Sequence, residues 1–313
     1  MKSIIKKIHK RGLKATFQII AQKAIGVDFR KIESEIQTLQ FFLNALHSPS
    51  EILVTNDPEL KIMQECDVIV LQIIDSLCKK HQLTYWLAYG TFLGCIRHGG
   101  FIPWDDDTDI SMPRTDYNKA ITIFKEELIP VGFDVYEDRR LCIGYKHSKT
   151  GIWVDIFPVD DYYDVSPLEE RRDALKKKLA IYKKNDDESK DHSIEWRENL
   201  RNKKIGGEKT DHTSYHFLIS CPEFNPYGGI IHNYKDIYPL CQRKFGTVNF
   251  WTPNDEFEYL SKCYGYHYMA FPKTGILHHD LGRGPLSSWA SKNGINMIEI
   301  KNELLRIYDG LTK

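Results

Sequence analysis

The chain has 313 residues, of which 42% are hydrophobic, with 43 basic and 43 acidic side chains. This length allows one large domain or two small ones, and the hydrophobic content excludes a disordered chain. The charge balance excludes a generally basic nucleic-acid-binding protein, so no nucleic acid is expected as a partner. The seven cysteines form no Cys-x-x-Cys pair, which favours a reducing, cytoplasmic compartment over a disulfide-rich secreted protein.

Charge is distributed unevenly along the chain. Residues 1–31 contain nine basic residues and one acid, whereas the rest has 34 basic and 42 acidic residues, a net charge of −8. Apolar residues recur in this segment at helical spacing, so it is either a solvated helix packed on the domain or a peripheral anchor on an anionic membrane surface. No apolar run reaches the roughly 18–20 residues that span a bilayer. We expect a cytoplasmic protein, with peripheral attachment to the inner face of the cell membrane as an open alternative.

Hydrophobic periodicity predicts an α+β fold. The predicted elements, in chain order, are helices at 33–46 and 58–80, a strand at 83–89, a short helix at 91–97, an extended segment at 107–110, a helix at 115–128, and strands at 141–146 and 152–157. A final helix is predicted at 297–311. We divide the chain into a basic N-terminal helical segment (1–57), a core segment (58–167), a charged helical insertion or mobile flap (168–214) and an aromatic-rich C-terminal part (215–313).

An acidic motif follows Pro103-Trp104 and includes Asp107 and Asp109. If residues 107–110 are extended, these two carboxylates share one face of a strand, with Cα atoms about 6.5–7 Å apart. Two acids held this close raise each other's pKa, and a hard divalent cation such as Mg²⁺, or Mn²⁺ in its place, removes the conflict. An EF-hand fits poorly, because Ile110 stands where that loop needs glycine. A structural acid cluster stays open as an alternative.

Residues on either side of this motif suggest a phosphate site and a third acid. Gly90 and Thr91 lie where a strand turns into a helix, and a helix N-terminus offers free N–H groups to a phosphate. Arg97 and His98 follow and could also contact phosphate, although an ion pair with the aspartates explains Arg97 equally well. Asp155 lies in the apolar segment 152–157, where a charge must be paired or bound to a metal. Two acids on one strand and a third on another suit metal-assisted phosphoryl transfer.

These motifs together resemble the LicD family, phosphocholine transferases of bacterial surface glycans that are related to the fukutin proteins. The resemblance covers roughly residues 75–275. Its motifs are Tyr85-Trp86, Gly90-Thr91, Leu93-Gly94, Arg97-His98, Gly100–Asp107, Asp109-Ile110 and Val154–Pro158, followed by a looser match at Pro253, Asp255, Tyr259-Leu260, Tyr264-Gly265, Met269 and Pro272.

The resemblance implies a nucleotidyltransferase-like mixed β-sheet flanked by helices. It also implies transfer of phosphocholine, or a similar substituted phosphate, from a CDP-linked donor such as CDP-choline to a sugar hydroxyl. The acceptor would be a glycan or glycolipid such as lipopolysaccharide, teichoic acid or capsule. The implied roles are metal binding and catalysis by Asp107, Asp109 and Asp155, donor phosphate binding by Gly90, Thr91, Arg97 and His98, and substrate contacts by Trp104, Asp105 and Tyr145, where the aromatic rings would hold choline by cation–π contact.

Two hypotheses compete with this enzyme. The first is a non-catalytic peripheral membrane adaptor that uses residues 1–31 and binds a structural metal in its acid cluster. The second is a zinc protein. Its ligands would be Cys221, Cys241, Cys263 and either His232 or His267, although these lack the paired short spacing of most zinc sites.

Overall fold

The computed structural model describes residues 58–312 except 139, 147–149, 165–167, 191–192, 205–214, 221–229 and 271–292. The predictions for residues 1–31 and 33–46 lie outside this part of the chain, as does Cys221. The helices are α1 Pro58–His81, α2 Tyr89–His98, α3 Arg114–Leu128, α4 Leu168–Glu188, α5 Ile194–Lys204, α6 Tyr234–Ile237, α7 Glu256–Tyr264 and α8 Met297–Leu311. The strands are β1 Trp86–Leu87, β2 Thr108–Pro113, β3 Phe133–Asp138, β4 Arg140–Tyr145, β5 Trp153–Asp164, β6 Tyr215–Ser220, β7 Ile230–Asn233, β8 Cys241–Phe245 and β9 Val248–Thr252.

Seven strands form one mixed sheet, which confirms the predicted α+β class. The order is β1-β2-β5-β4-β3, and β6 and β7 continue the sheet from the second half of β5. β2 and β5 are parallel, and the other pairs are antiparallel. A separate hairpin consists of β8 and β9. The parallel pair at the centre places the acidic motif next to the segment that contains Asp155.

Alternation along β2 separates a core face from a polar face. Thr108 and Ile110 are fully buried, as are Val154 and Ile156, their register partners on β5. This face belongs to the main hydrophobic core, to which helices α1 and α8 also contribute. Asp109 points the other way because successive strand residues alternate between faces. The sequence pattern predicted this division.

Two strands differ in length from the prediction. The predicted strand at 83–89 is reduced to β1, because Tyr89, with a positive φ of 41°, turns the chain directly into α2. β5 extends to Asp164 instead of ending near Phe157. Its proline, Pro158, falls between the residues that pair with β4 and those that pair with β6. The missing N–H of proline is tolerated at such a position, so Pro158 does not end the strand.

The charged segment contains two helices, as expected for a charged helical insertion. Leu179 of α4 packs against Tyr162, Phe217 and Ile231, in a small apolar cluster on the extension of the sheet. This cluster explains why an otherwise polar helix docks on the domain. No helix among the described residues combines the length and apolarity that crossing a bilayer requires.

Candidate active site at the acidic loop

The N-terminus of α2 faces the acids. A Cβ atom on Gly90 would lie 3.1 Å from Asp105 Oδ2 and 3.9 Å from Asp109 Oδ2. The absence of a side chain at Gly90 therefore leaves room for two carboxylates beside the first turn of a helix. The free N–H groups and the positive potential of that turn favour negative charge there. Any larger residue at position 90 would displace Asp105.

Asp105, Asp106 and Asp107 form what we call the acidic loop, which enters β2. Each offers a carboxylate oxygen, and these oxygens all lie within 4.8 Å of one another. This is the one group of three potential metal-ligating side chains in the described part of the chain. Burial raises the pKa of Asp105 well above its ordinary value, and the charges of Asp107 and Asp106 raise it further. Among the described residues, the charge of Arg97 opposes this shift.

Asp109 and Asp155 are register partners on the parallel strands β2 and β5. They therefore lie side by side on the polar face of the sheet. Burial raises the pKa of Asp109 well above its ordinary value, and the charges of Asp107 and Asp155 contribute in the same direction. The pKa of Asp155 is also raised, mainly by burial, although Arg140 opposes the shift. The three predicted acids thus act on one another electrostatically.

Arg140, at the start of β4, is the basic residue of this site. Its Nε lies 2.7 Å from Asp155 Oδ2, and about a quarter of its side chain is exposed. Burial alone would lower its pKa, but the neighbouring Asp155 outweighs this effect and raises it. Sequence analysis missed Arg140. Arg140 directly precedes the strand predicted at 141–146, but the sequence did not show which strand would pair with it.

Thr91 binds the backbone of Asp109. Its buried hydroxyl oxygen accepts a 2.7 Å hydrogen bond from the backbone N–H of Asp109. The hydroxyl was also expected to contact donor phosphate, and this stays a prediction, because the bond from Asp109 uses the oxygen as an acceptor and not the O–H. Thr91 holds the β2 backbone in register with α2, so it positions Asp109.

Arg97 and His98 do not present free cations to a phosphate. Arg97 donates from Nη1 to the carbonyl oxygens of Tyr268 and Ala270, at 3.0 and 3.2 Å. His98 is buried, and its ring packs edge-on against Trp104 with centroids 6.1 Å apart. Burial and the charge of Arg97 lower the pKa of His98 to about 4. His98 is therefore neutral near pH 7, and Arg97 ties the acidic region to the C-terminal part of the chain.

Tyr145 lies away from the acids. It is three residues beyond Cys142, the register partner of Asp155, so the two side chains leave opposite faces of β4. The Tyr145 hydroxyl donates to Glu303 on α8 at 3.0 Å. This position does not support the expected substrate contact. Trp104 is half-buried beside His98, next to the acidic loop.

Three further residues reach the acidic region from other elements. Gln64 on α1 donates from Nε2 to the carbonyl oxygen of Asp105 at 2.8 Å. Asp67, one turn later, is fully buried. Tyr264, the last residue of α7, is 43% exposed. Its pKa is raised, in order of size, by burial and by the charges of Cys263, Asp109 and Asp105. In the sequence, Asp67 directly precedes the apolar run Val68–Leu71 on a predicted helix, and this was the available signal for a buried acid.

The zinc hypothesis finds no matching cluster among the residues that the structure describes. His232 is buried and stacks on Tyr259, with ring centroids 4.4 Å apart. Cys241 donates weakly to the Pro239 carbonyl oxygen and to the Asn254 side chain. Neither Cys241 nor Cys263 belongs to a group of three potential ligands there.

The donor set fits a hard divalent cation. All of its ligands are carboxylate oxygens, the type that Mg²⁺ and Mn²⁺ prefer. Asp105 Oδ2 is buried, and no hydrogen-bond donor reaches it within the described residues. An orphaned, buried carboxylate oxygen is costly unless a proton or a cation compensates it. The acidic loop and Asp109 therefore have the composition of a cation site.

Comparison with known protein families identifies the segment that contains this site. Residues 82–139 match the nucleotidyltransferase domain described as LicD/FKTN/FKRP. This segment contains α2, the acidic loop and Asp109, so the resemblance to the LicD family is confirmed for this part of the candidate site.

Three curated relatives share parts of the chain. The lipopolysaccharide cholinephosphotransferase LicD of Haemophilus influenzae is 40% identical over 21% of this chain and 26% of its own length. Uncharacterized proteins of Rickettsia prowazekii and Rickettsia typhi are each 48% identical, over 28% and 23% of this chain. The matches cover 36% and 20% of those two proteins. The chain thus spans about a fifth to a third of the length of these relatives.

Proposed function

We propose that the protein transfers phosphocholine, or a similar substituted phosphate, from a CDP-linked donor to a sugar hydroxyl of a bacterial surface glycan. The observation that carries the proposal is the convergence of Asp105, Asp107, Asp109 and Asp155 beside the N-terminus of α2. Asp105, Asp107 and Asp109 lie within residues 82–139, the segment that matches a nucleotidyltransferase domain, and Asp155 lies beyond it. The printed activity of the Haemophilus relative, a lipopolysaccharide cholinephosphotransferase, supports the choice of phosphocholine and of a glycan acceptor.

The acidic loop and Asp109 would hold Mg²⁺, or Mn²⁺, together with the donor diphosphate. Such a cation, when bound, neutralises the diphosphate and stabilises the charge of the leaving nucleotide. Gly90 leaves space for the carboxylates and exposes the first N–H groups of α2 toward the same region. Thr91 keeps Asp109 in place through its backbone. In this proposal Arg140, instead of Arg97 or His98, supplies positive charge next to the donor phosphates.

The transfer itself moves one phosphorus atom between two oxygens. The acceptor hydroxyl oxygen forms a bond to the choline-bearing phosphorus. The bond from that phosphorus to the bridging oxygen of the diphosphate breaks, and CMP leaves. Asp155 would accept the hydroxyl proton at the oxygen not engaged by Arg140, since its raised pKa suits a general base. We therefore prefer a proton-accepting role for Asp155 over that of a metal ligand.

The trimethylammonium group of choline requires an aromatic face. Trp86 is fully buried and packs edge-on against Tyr238, so it cannot serve. Tyr264 is partly exposed and close enough to Asp105 and Asp109 to respond to their charges. Trp104 borders the same loop. Tyr264 and Trp104 are therefore our candidates for contact with choline.

A donor screen tests this proposal. The purified protein is incubated with CDP-choline, CDP-ethanolamine or a CDP-linked polyol, with lipopolysaccharide as the acceptor, and CMP release is measured by chromatography. We expect release that requires both Mg²⁺ and acceptor, and that stops on chelation. The donor with the highest turnover identifies the transferred group. Absence of CMP release with every donor, under conditions where the protein is folded, would refute the proposal.

We further propose that residues 1–31 attach the enzyme to an anionic membrane surface, where a glycolipid acceptor would be found. The support is the nine basic residues against one acid in this segment. Deleting these residues should release the protein from vesicles that contain anionic lipid, and should leave turnover on a soluble acceptor unchanged. Equal vesicle binding by the truncated and full-length proteins would contradict this attachment.

A further inference from the structure

Asp67 occupies a position on α1 that faces the acidic loop. Its side chain is fully buried, and within the described part of the chain neither carboxylate oxygen has a hydrogen-bond partner. One turn earlier, Gln64 donates to the carbonyl oxygens of Ile102 and Asp105, at 3.3 and 2.8 Å. Residues three apart share one face of a helix. Asp67 therefore lies on the same face of α1 as Gln64, whose side chain binds the backbone at the start of the acidic loop.

The charges that act on Asp67 come from the loop itself. After burial, the charges of Asp107, Asp106 and Asp105 raise its pKa, in that order of size. A buried carboxylate next to three others is unfavourable unless a proton or a cation compensates it. The same loop already contains Asp105 Oδ2, a second buried oxygen without a donor among the described residues. Asp67 and Asp105 thus both have buried carboxylate oxygens that no donor reaches among the described residues, and Asp105 belongs to the acidic loop itself.

We propose that Asp67 is a further acid of the cation site, and that it stabilises a divalent cation on the acidic loop from the side of α1. This inference rests on the cation of the proposed function. Asp67 does not belong to the group of oxygens within 4.8 Å of one another. Because Mg²⁺ usually retains several of its waters, an acid outside that group can still stabilise the cation through one of them.

Asp75 provides a matched control on the same helix. It is also a buried acid, eight residues beyond Asp67, but both of its oxygens have partners. Tyr85 donates its hydroxyl to Oδ1 at 2.8 Å, and Lys79 donates to Oδ2 at 2.5 Å. Removing the charge at Asp75 therefore changes the same helix without touching the acidic loop.

The test measures Mn²⁺ binding by titration calorimetry, and thermal unfolding with and without Mg²⁺, for the full chain and the variants Asp67→Asn and Asp75→Asn. We expect Asp67→Asn to weaken Mn²⁺ binding at least tenfold and to reduce the gain in Tm on adding Mg²⁺. Its metal-free Tm should rise, since one of the repelling acids has lost its charge. Asp75→Asn should keep the wild-type affinity. No activity measurement is needed.

The outcomes separate this inference from the proposed function. If the unaltered protein does not bind Mn²⁺, the cation of the proposed function fails first. If it binds Mn²⁺ and Asp67→Asn binds equally well, the role of Asp67 alone is refuted. Should Asp67→Asn fail to fold, Asp67→Leu is measured in its place, because leucine fills a similar volume without charge. Failure of both variants to fold would show that the carboxylate is a structural group and would also refute the inference.

Discussion

The two ends of strand β5 each carry a buried aspartate, and their surroundings differ. Asp160 receives hydrogen bonds from Arg114 Nε and Nη2, at 3.0 and 2.8 Å, and Arg201 Nε lies 3.1 Å away. Asp155 is contacted by one described guanidinium group, that of Arg140, whose Nε lies 2.7 Å from Oδ2, and its register partner on β2 is another acid, Asp109. Glu198 also lies 3.8 Å from Arg201, so Asp160 belongs to a network of two acids and two guanidinium groups.

This contrast is the basis for our proposal that Asp160 is a structural acid and Asp155 a catalytic acid on the same strand. Two guanidinium groups hold Asp160 in place, which leaves no role for a cation there. Among the described residues, the charges of Arg97 and Arg140 oppose the raised pKa values of Asp105, Asp109 and Asp155, and burial together with the neighbouring acids outweighs them. Perturbed acids occur in structural networks as well as in active sites. The balance of charge therefore discriminates better than burial does.

The largest expected effect is the loss of turnover in Asp109→Asn. This change removes a charge proposed to hold the cation, while the amide keeps the shape of the side chain. Losing several kcal/mol of transition-state stabilisation lowers the rate by about 10³-fold. CMP release from the best donor measures the loss, and circular dichroism should show an unaltered fold. Turnover near that of the unaltered protein at saturating Mg²⁺ would remove Asp109 from the site.

Asp160→Asn should show the opposite pattern. Breaking a buried ion pair leaves Arg114 and Arg201 without their charged partner, at a cost of about 3 kcal/mol in the free energy of unfolding. We expect denaturant unfolding to detect this loss, while Mn²⁺ affinity stays at the wild-type value. A change in Mn²⁺ affinity without a loss of stability would mean that Asp160, like Asp155, belongs to the cation site.

Asp155→Asn should fall between these two variants. Because Asp155 is the proposed general base, its replacement should lower turnover by about 10²–10³-fold. The destabilisation should be smaller than in Asp160→Asn, because the side chain of Arg140 is 26% exposed, against 15% and 10% for Arg114 and Arg201. Stability and turnover are measured on the same preparation. Retained turnover with a loss of stability as large as that of Asp160→Asn would make Asp155 a structural acid.

The acidic end should also give the metal-free protein a characteristic pH dependence. Burial and mutual repulsion raise the folded-state pKa of Asp67, Asp105 and Asp109 above the unfolded value of about 3.9. Such groups stabilise the fold when protonated, and this contribution is lost as the pH rises from about 4 through the folded pKa. With EDTA, Tm should therefore fall over that range, and the gain on adding Mg²⁺ should grow. A gain in Tm that does not depend on pH would argue against binding by these acids.

Much of the fold followed from periodicity and turn residues. Helix α8 was predicted with its observed bounds, and α1 and α3 to within one residue. Strands β6 and β7 were missed, because their partner is the second half of β5. Pairing between strands distant in sequence leaves little local signal, so the extent of the sheet could not be predicted.

The candidate site was predictable only in part, for a similar reason. The spacing predicted Asp107 and Asp109 on one face of a strand; Asp109 lies on β2, whereas Asp107 lies in the loop before it. The sequence alone could not show that Arg97 is occupied by backbone carbonyls, or that Tyr145 leaves β4 on the face opposite to the acids. It also could not show Arg140 beside Asp155. Each of these facts depends on a partner more than 10 residues away.

The smallest effect we predict concerns two buried threonines near the same acid. Thr91 accepts the backbone N–H of Asp109 at 2.7 Å, whereas no described residue pairs with the hydroxyl of Thr108. Thr91→Val leaves the Asp109 N–H unsatisfied, so the free energy of unfolding should fall by about 1–2 kcal/mol. Turnover should fall with it, because Asp109 loses its register. Thr108→Val removes a buried hydroxyl that has no such role, so its stability should equal or exceed that of the unaltered protein. Denaturant unfolding of both variants makes the comparison, and equal destabilisation would show that Thr91 fills space without positioning Asp109.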